Sequence, residues 1–219
     1  MGTKTAQNII DIAEEALQDQ TNTLWREATH LKAFNDGQRQ IVILKPDANI
    51  VSSAVKLIAG TKQSLPSKGI FLFDIIRNMG TGGTTPGNTV TLVDMSIMNA
   101  VLPTWHGAVA AATAIHFMYD PKKDPKTFWI YPPQPTSSQG YVEEQYAELP
   151  SDIAIGDAIT LDDAYSDALV AYVLFRAWEK KKPETSVGYW NLFLNLLGLK
   201  DTREEQEDPN IKTVKGGLP

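Results

Sequence analysis

The chain contains no cysteine, which removes disulfides, thiolate metal sites and cysteine nucleophiles together. Its fold must rest on packing, or on assembly with other chains. Histidine is scarce, with only 3 residues. No apolar run approaches the roughly 20 residues of a membrane span. The opening Met-Gly-Thr-Lys-Thr-Ala-Gln-Asn lacks the apolar core of a secretory signal, and Ala6 stands where a myristoylation signal wants Ser or Thr. These absences point to a protein made and kept in a cytoplasm, or built into a particle assembled there, with no membrane partner. Positive charge is also in short supply: 20 Lys+Arg against 26 Asp+Glu give a formal charge of −6. A protein that grips nucleic acid normally shows a basic face. The balance argues against that class, but not against a protein that lets DNA pass without holding it.

Two further shortages are local. Between Met79 and Tyr119 the only Asp, Glu, Lys or Arg is Asp94. Such a stretch is either core or a protein contact surface. Between Thr127 and Phe175 there is no Lys or Arg, while Glu143, Glu144, Glu148, Asp152, Asp157, Asp162, Asp163 and Asp167 all fall inside. That reads as an acidic surface that is solvated, faces a basic partner or repels a polyanion.

What is present is an ordinary globular composition, 42% hydrophobic and 21% charged in 219 residues, enough for one large domain or two small ones. Ile9, Ala13, Ala16 and Leu17 predict a helix over about 5–18. A stronger helical pattern runs from Leu24 to Lys45, with Thr23 as N-cap and Pro46 as stop. Gly37 interrupts it at a cost of roughly 1 kcal/mol relative to alanine, which close approach of a neighbouring element would explain. Strand candidates follow at 51–57, 71–77, 89–93, 113–119, 127–131 and 141–146, with a turn-rich stretch over 59–66 and a short helix over 95–102. Helix returns at about Leu161, where Thr160 and Asp163 resemble a capping box, and stops before Pro183. A last helix covers 185–197 and ends at Gly198. The expected fold class is α+β: N- and C-terminal helices (1–48 and 158–198) framing a β-rich insert (49–157), then a charged tail (199–219) that is flexible or ordered by a partner.

No catalytic constellation stands out. The Gly80-Thr-Gly-Gly-Thr-Thr-Pro-Gly87 loop lacks the lysine of a phosphate-binding loop, and Thr85 stands where the dinucleotide pattern needs its third glycine. His30, His106 and His116 have no ligand spacing for zinc, and no Gly-x-Ser-x-Gly elbow exists. Adjacent acids such as Glu143-Glu144 diverge on a strand, a poor start for paired acid–base work. Phe128-Trp-Ile-Tyr131 could stack on bases, but without basic neighbours it reads better as a buried strand. We therefore expect no catalytic residues, no metal and no cofactor.

Once these elements are placed, the chain resembles the adaptor (head-to-tail connector) proteins of short-tailed bacteriophages. The resemblance is carried by Phe34-Asn-Asp-Gly-Gln-Arg-Gln-Ile-Val42 with Lys45-Pro-Asp-Ala48, by Ala59-Gly-Thr-Lys-Gln-Ser-Leu-Pro66, by Tyr119-Asp-Pro121 leading into Phe128-Trp-Ile-Tyr-Pro-Pro133, and by Tyr172-Val-Leu-Phe-Arg-Ala-Trp-Glu-Lys180. It extends over about 5–182 and leaves the tail uncovered. It implies a structural virion protein at the capsid–tail junction: a homo-oligomeric ring, commonly a dodecamer, beneath the portal protein. Such a ring docks the next tail or nozzle protein and continues the channel for genomic DNA, without sequence-specific binding. Under that resemblance, Trp190, Phe193, Leu194, Leu197, Ile211 and Val214 are the candidate portal interface. Glu143, Glu144, Glu148, Asp152 and Asp157 are the candidate acidic channel or partner surface. The competing readings are a small hydrolase with a scattered site and a different minor tail protein.

Overall fold

A computed structural model describes residues 2–207. The chain divides into two compact units, one formed by 1–41 with 151–219 and the other by 42–150. Residues 42–48 thus go with the β-rich unit and 151–157 with the helical one. The architecture is α+β, with helices at both ends of the chain and strands between them.

In the helical unit, α1 (Ala6–Leu17) starts at Thr5, whose side chain accepts from the Asn8 amide in a capping box. Its apolar stripe of Ile9, Ile10, Ala13 and Leu17 is buried and packs against α4 (Ser166–Trp178). α2 spans Glu27–Leu44, a later start than Leu24. The carboxylate of Asp19 accepts from the amides of Thr23, Leu24 and Trp25 at 2.8–2.9 Å, which ties that segment into a turn, so Thr23 is no N-cap. Gly37 is explained: a Cβ there would lie 2.9 Å from the Tyr172 ring of α4. Two buried amides of α2 hold the irregular return segment. Asn35 exchanges two hydrogen bonds with the backbone of Ile153, and Gln38 accepts from the Thr160 amide at 2.9 Å.

The capping box at Thr160 is not formed. Asp162 caps a 3-10 turn over 163–165 through the Ala164 amide, and Asp163 instead accepts from Thr3 and Lys4. Pro183 opens rather than closes a helix, because a proline at the first helical position sacrifices no hydrogen bond. α5 (Pro183–Glu207) then passes through Gly198. No breaker follows that glycine until Pro209, and a lone glycine costs only about 1 kcal/mol.

The β-rich unit holds two sheets. β1 (Ile50–Lys56), β3 (Gly69–Asn78) and β7 (Tyr141–Glu148) form an antiparallel sheet in the order β1-β7-β3. β2 (Gly60–Ser64), β4 (Thr91–Leu92), β5 (His116–Tyr119) and β6 (Thr127–Gln134) form the other, in the order β2-β6-β5-β4. β2 lies within the stretch read as a turn. Gln63, buried in its middle, bonds the backbone of Ile58 and Gly60 and so folds that turn onto the strand. One core, including Leu72, Ile75, Phe117, Phe128, Ile130 and Val142, joins the sheets. The opposite face of β6 carries Trp129 and Tyr131 against Met98, Trp105 and Met118, with Met98 supplied by α3 (Met95–Val101). The aromatic run is therefore packed on both sides, as a buried strand.

Candidate interaction surfaces

No group of three or more His, Cys, Asp or Glu side chains is placed to hold a metal among the described residues. His30 is sealed in the helical unit with its Nε2 unpartnered. Burial lowers its pKa while the charge of Asp19 works the other way. That carboxylate is consumed by three backbone amides, so the pair is structural rather than an acid–base couple. Burial also opposes ionisation of Asp19, but the amides outweigh it and hold the carboxyl below its usual range. His106 stacks on Trp105, with Nδ1 2.9 Å from the Thr61 hydroxyl. His116 stacks on Tyr131.

The Gly80–Gly87 loop is a built turn. Met79 and Tyr141 bond across its base at 2.7 Å, Gly80 and Gly83 have positive φ, and a Cβ on Gly83 would lie 2.9 Å from the Tyr141 ring. Beneath it, Asn78 donates to the carbonyls of Asn88 and Ala114 and accepts from the Ala114 amide. Gln134 ties Ala111 to Gly140 in the same way. These glycines and buried amides serve the loop itself.

The proposed portal residues divide. Phe193 and Leu197 are buried, and Trp190 and Phe193 pack with Tyr172 and Phe175 of α4 at ring distances of 5.2–6.5 Å. Their apolar stripe is the core contact between α4 and α5 and not a free docking face. Leu194 is partly exposed, as are Val187, which lies beside Trp190 at the edge of the stripe, and Leu192, which lies off it. Ile211 and Val214 lie outside the described residues. A helical stripe marks the face a helix buries first; the residues that break the stripe were the available signal for an outer surface.

The acidic candidates divide too. On β7 the pleat sends alternate residues to opposite faces, so Glu144 points inward with Val142 and Tyr146 and is fully buried. Both of its oxygens lack a hydrogen-bond partner, and burial pushes its carboxyl up to about 8. Glu144 therefore adds nothing to an exposed acidic face of this chain. Glu143 faces the other way and accepts from Arg77 Nε at 2.7 Å. Glu148 is half-buried. In the helical unit Asp152 pairs with Arg39, and Asp157 is exposed and caps the Ala154 amide. Part of the acidic stretch is thus structural.

The low-charge segment is only partly core. Val90, Met98, Trp105, Ala114, Phe117 and Met118 are buried, while Leu92, Ile97, Val101, Val109 and Ile115 are exposed, Val101 at 77% and Val109 at 91%.

No curated protein matches the chain. The family model described as SU10 adaptor protein matches residues 4–213, which include 199–213 of the tail that the sequence resemblance left out. The match spans nearly the whole chain, and the chain therefore belongs to the SU10 adaptor protein family, a family of phage adaptors.

Proposed function

We propose that this adaptor is a structural subunit of the virion that forms a ring beneath the portal protein, joins capsid to tail and continues the channel for the genome. The ring is a homo-oligomer, with a dodecamer the reading the resemblance favours, and it assembles in the host cytoplasm. The observation that carries this reading is the set of exposed apolar side chains in the low-charge segment, Leu92, Ile97, Val101, Val109 and Ile115. A ring subunit needs two lateral faces as well as two axial ones, and this segment supplies apolar surface for a lateral face or for the next tail protein. The acidic lining for passing DNA narrows to Glu143, Glu148, Asp152 and Asp157, because Glu144 is buried. The segment assigned to the portal narrows to the last residues of the chain, with Ile211 and Val214.

The test is co-expression with the portal protein, followed by native mass measurement and electron microscopy of the vertex complex. The unaltered chain should be recovered as a closed ring on the portal. The double change Val101→Glu and Val109→Glu should leave the fold intact by circular dichroism and abolish the ring or its tail attachment. A wild-type chain that stays monomeric with portal present would sink the reading.

A further inference from the structure

We propose that a basic, tryptophan-floored groove in the helical unit receives the acidic end of α5 from a neighbouring copy of the chain. The proposal deepens the ring reading above and rests on it. The groove, about 350 Å³, lies between the start of α2 and the end of α4, with Trp25, Thr29 and Lys32 on one side and Arg176, Lys180 and Lys181 on the other. Its floor is fixed. The Trp25 indole N–H donates to the Ala177 carbonyl at 3.0 Å, and its ring meets Trp178 edge-on at 5.4 Å. Lys181 Nζ sits 3.9 Å above the Trp25 ring, where the face of the indole attracts a cation.

The charge of the groove is unbalanced. Its two lining acids are already engaged, Asp36 with Arg39 at 2.6 Å and Glu179 with Arg176 at 2.9 Å. Lys32, Lys180 and Lys181 have no carboxylate partner among the described residues. They stand out in a chain whose net charge is −6. The matching charge lies at the other end of α5, where Asp201, Glu204, Glu205 and Glu207 outnumber Lys200 and Arg203.

The geometry decides which copy supplies it. α5 begins at Pro183, beside the groove, and runs as one helix to Glu207. At about 1.5 Å per residue, the acids lie roughly 27–36 Å down the helix axis from its start. A chain cannot return them to its own groove without breaking its helix, whereas a neighbour meets no such constraint. Groove and helix end are different surfaces, so the contact is head-to-tail, and its repetition closes a ring when the rotation permits.

The absence of cysteine makes the test clean. Full-length copies carrying Thr29→Cys in the groove and Thr202→Cys on α5 are mixed with portal protein and treated with a short bismaleimide. A 29–202 product between copies is expected, with 29–29 and 202–202 products absent. Adding Lys180→Glu with Lys181→Glu, or Glu204→Lys with Glu205→Lys, should lower the yield at least tenfold, and combining the two reversals should restore it. A ring that assembles without the 29–202 product, or a yield indifferent to the reversals, overturns the groove contact and leaves the ring standing. No assembly at all overturns both. Binding of a labelled DNA duplex that competes with the cross-link and is lost in the lysine reversal would make the groove a polyanion site, and also overturns the proposal.

Discussion

The helical unit is held by apolar stripes and by a few long-range hydrogen bonds, whereas the β-rich unit is a two-sheet core whose loops are pinned by buried amides. In the first, Asn35 and Gln38 of α2 capture the segment around Ile153 and Thr160. In the second, Gln63, Asn78 and Gln134 each hold loop backbone from within or beside a strand. The helical unit buries His30 and Glu14, and the β-rich unit buries Glu144, each without a full set of partners, and His30 and Glu144 are of opposite kind. His30 is a base that burial keeps neutral against acid, and Glu144 is an acid that burial keeps neutral against base. The difference teaches that burial sets the sign: the His30 contribution is lost toward acid, and the Glu144 contribution, like that of Glu14, is lost toward base.

The largest effect is expected from Phe193→Ala, because Phe193 is fully buried and packs on Tyr172 and Trp190. Truncating such a ring costs about 3–5 kcal/mol. Hydrogen exchange resolved by peptide should show lost protection in α4 and α5 with β6 and β7 unchanged. Equal loss in the strands would make the two units one cooperative body and break the comparison.

Next is the pH contrast. The unfolded-state reference for Glu144 is 4.5 and its folded value about 8. Between these values the unfolded chain releases a proton that the folded chain keeps, so stability is lost as pH rises through that window. At about 1.36 kcal/mol per unit of pKa difference, the penalty near pH 7 is about 3 kcal/mol. Its cross-strand partners are Ser53 of β1 and Ile75 of β3, neither of which can compensate a charge. Glu144→Gln should therefore stabilise the β strands at pH 7–8 and change little at pH 4. His30 has the reverse sign. Its folded value lies below 6.5, so its contribution to the helical unit is lost as pH falls below 6.5, where Glu144 relaxes the β-rich unit; Glu14→Gln removes the buried acid that opposes it in the helical unit. In the Glu14→Gln chain, parallel pH profiles of exchange in the two units would sink this account.

The sequence made the helices and most strands legible because their apolar periodicities are long and their caps local. Pro46 is an example, a stop read just after the helical pattern ends. It misplaced elements where a distant group overrode the local signal: Asp19 unwound the start of α2, and Gln63 turned a Gly/Pro-rich stretch into β2. The surfaces were least legible. Phe193 and Glu144 were singled out by type, apolar and acidic, and only packing shows that each points inward. The basic groove escaped notice because Lys32 and Lys180 are far apart in sequence and meet only when α2 packs beside α4.

The smallest expected effect tests the comparison at matched sites. An added Cβ would lie 2.9 Å from a tyrosine ring at Gly37 in the helical unit and at Gly83 in the β-rich unit. At Gly37 the ring belongs to Tyr172, which is hemmed in by Phe175 and Phe193, so it cannot swing away freely. Overpacking of this kind costs about 1–3 kcal/mol, but alanine returns roughly 1 kcal/mol of helix propensity. Gly37→Ala should therefore destabilise by only about 1 kcal/mol. At Gly83 there is no such return. Its φ of +76° adds the left-handed penalty of about 1–2 kcal/mol for any residue with a Cβ, so Gly83→Ala should cost about 2 kcal/mol or more. Denaturant unfolding of the two variants measures the gap. If Gly37→Ala proves the costlier, helix propensity is not the offsetting term, and the helical unit is held more by the fit of Tyr172 against α2 than by its apolar stripes.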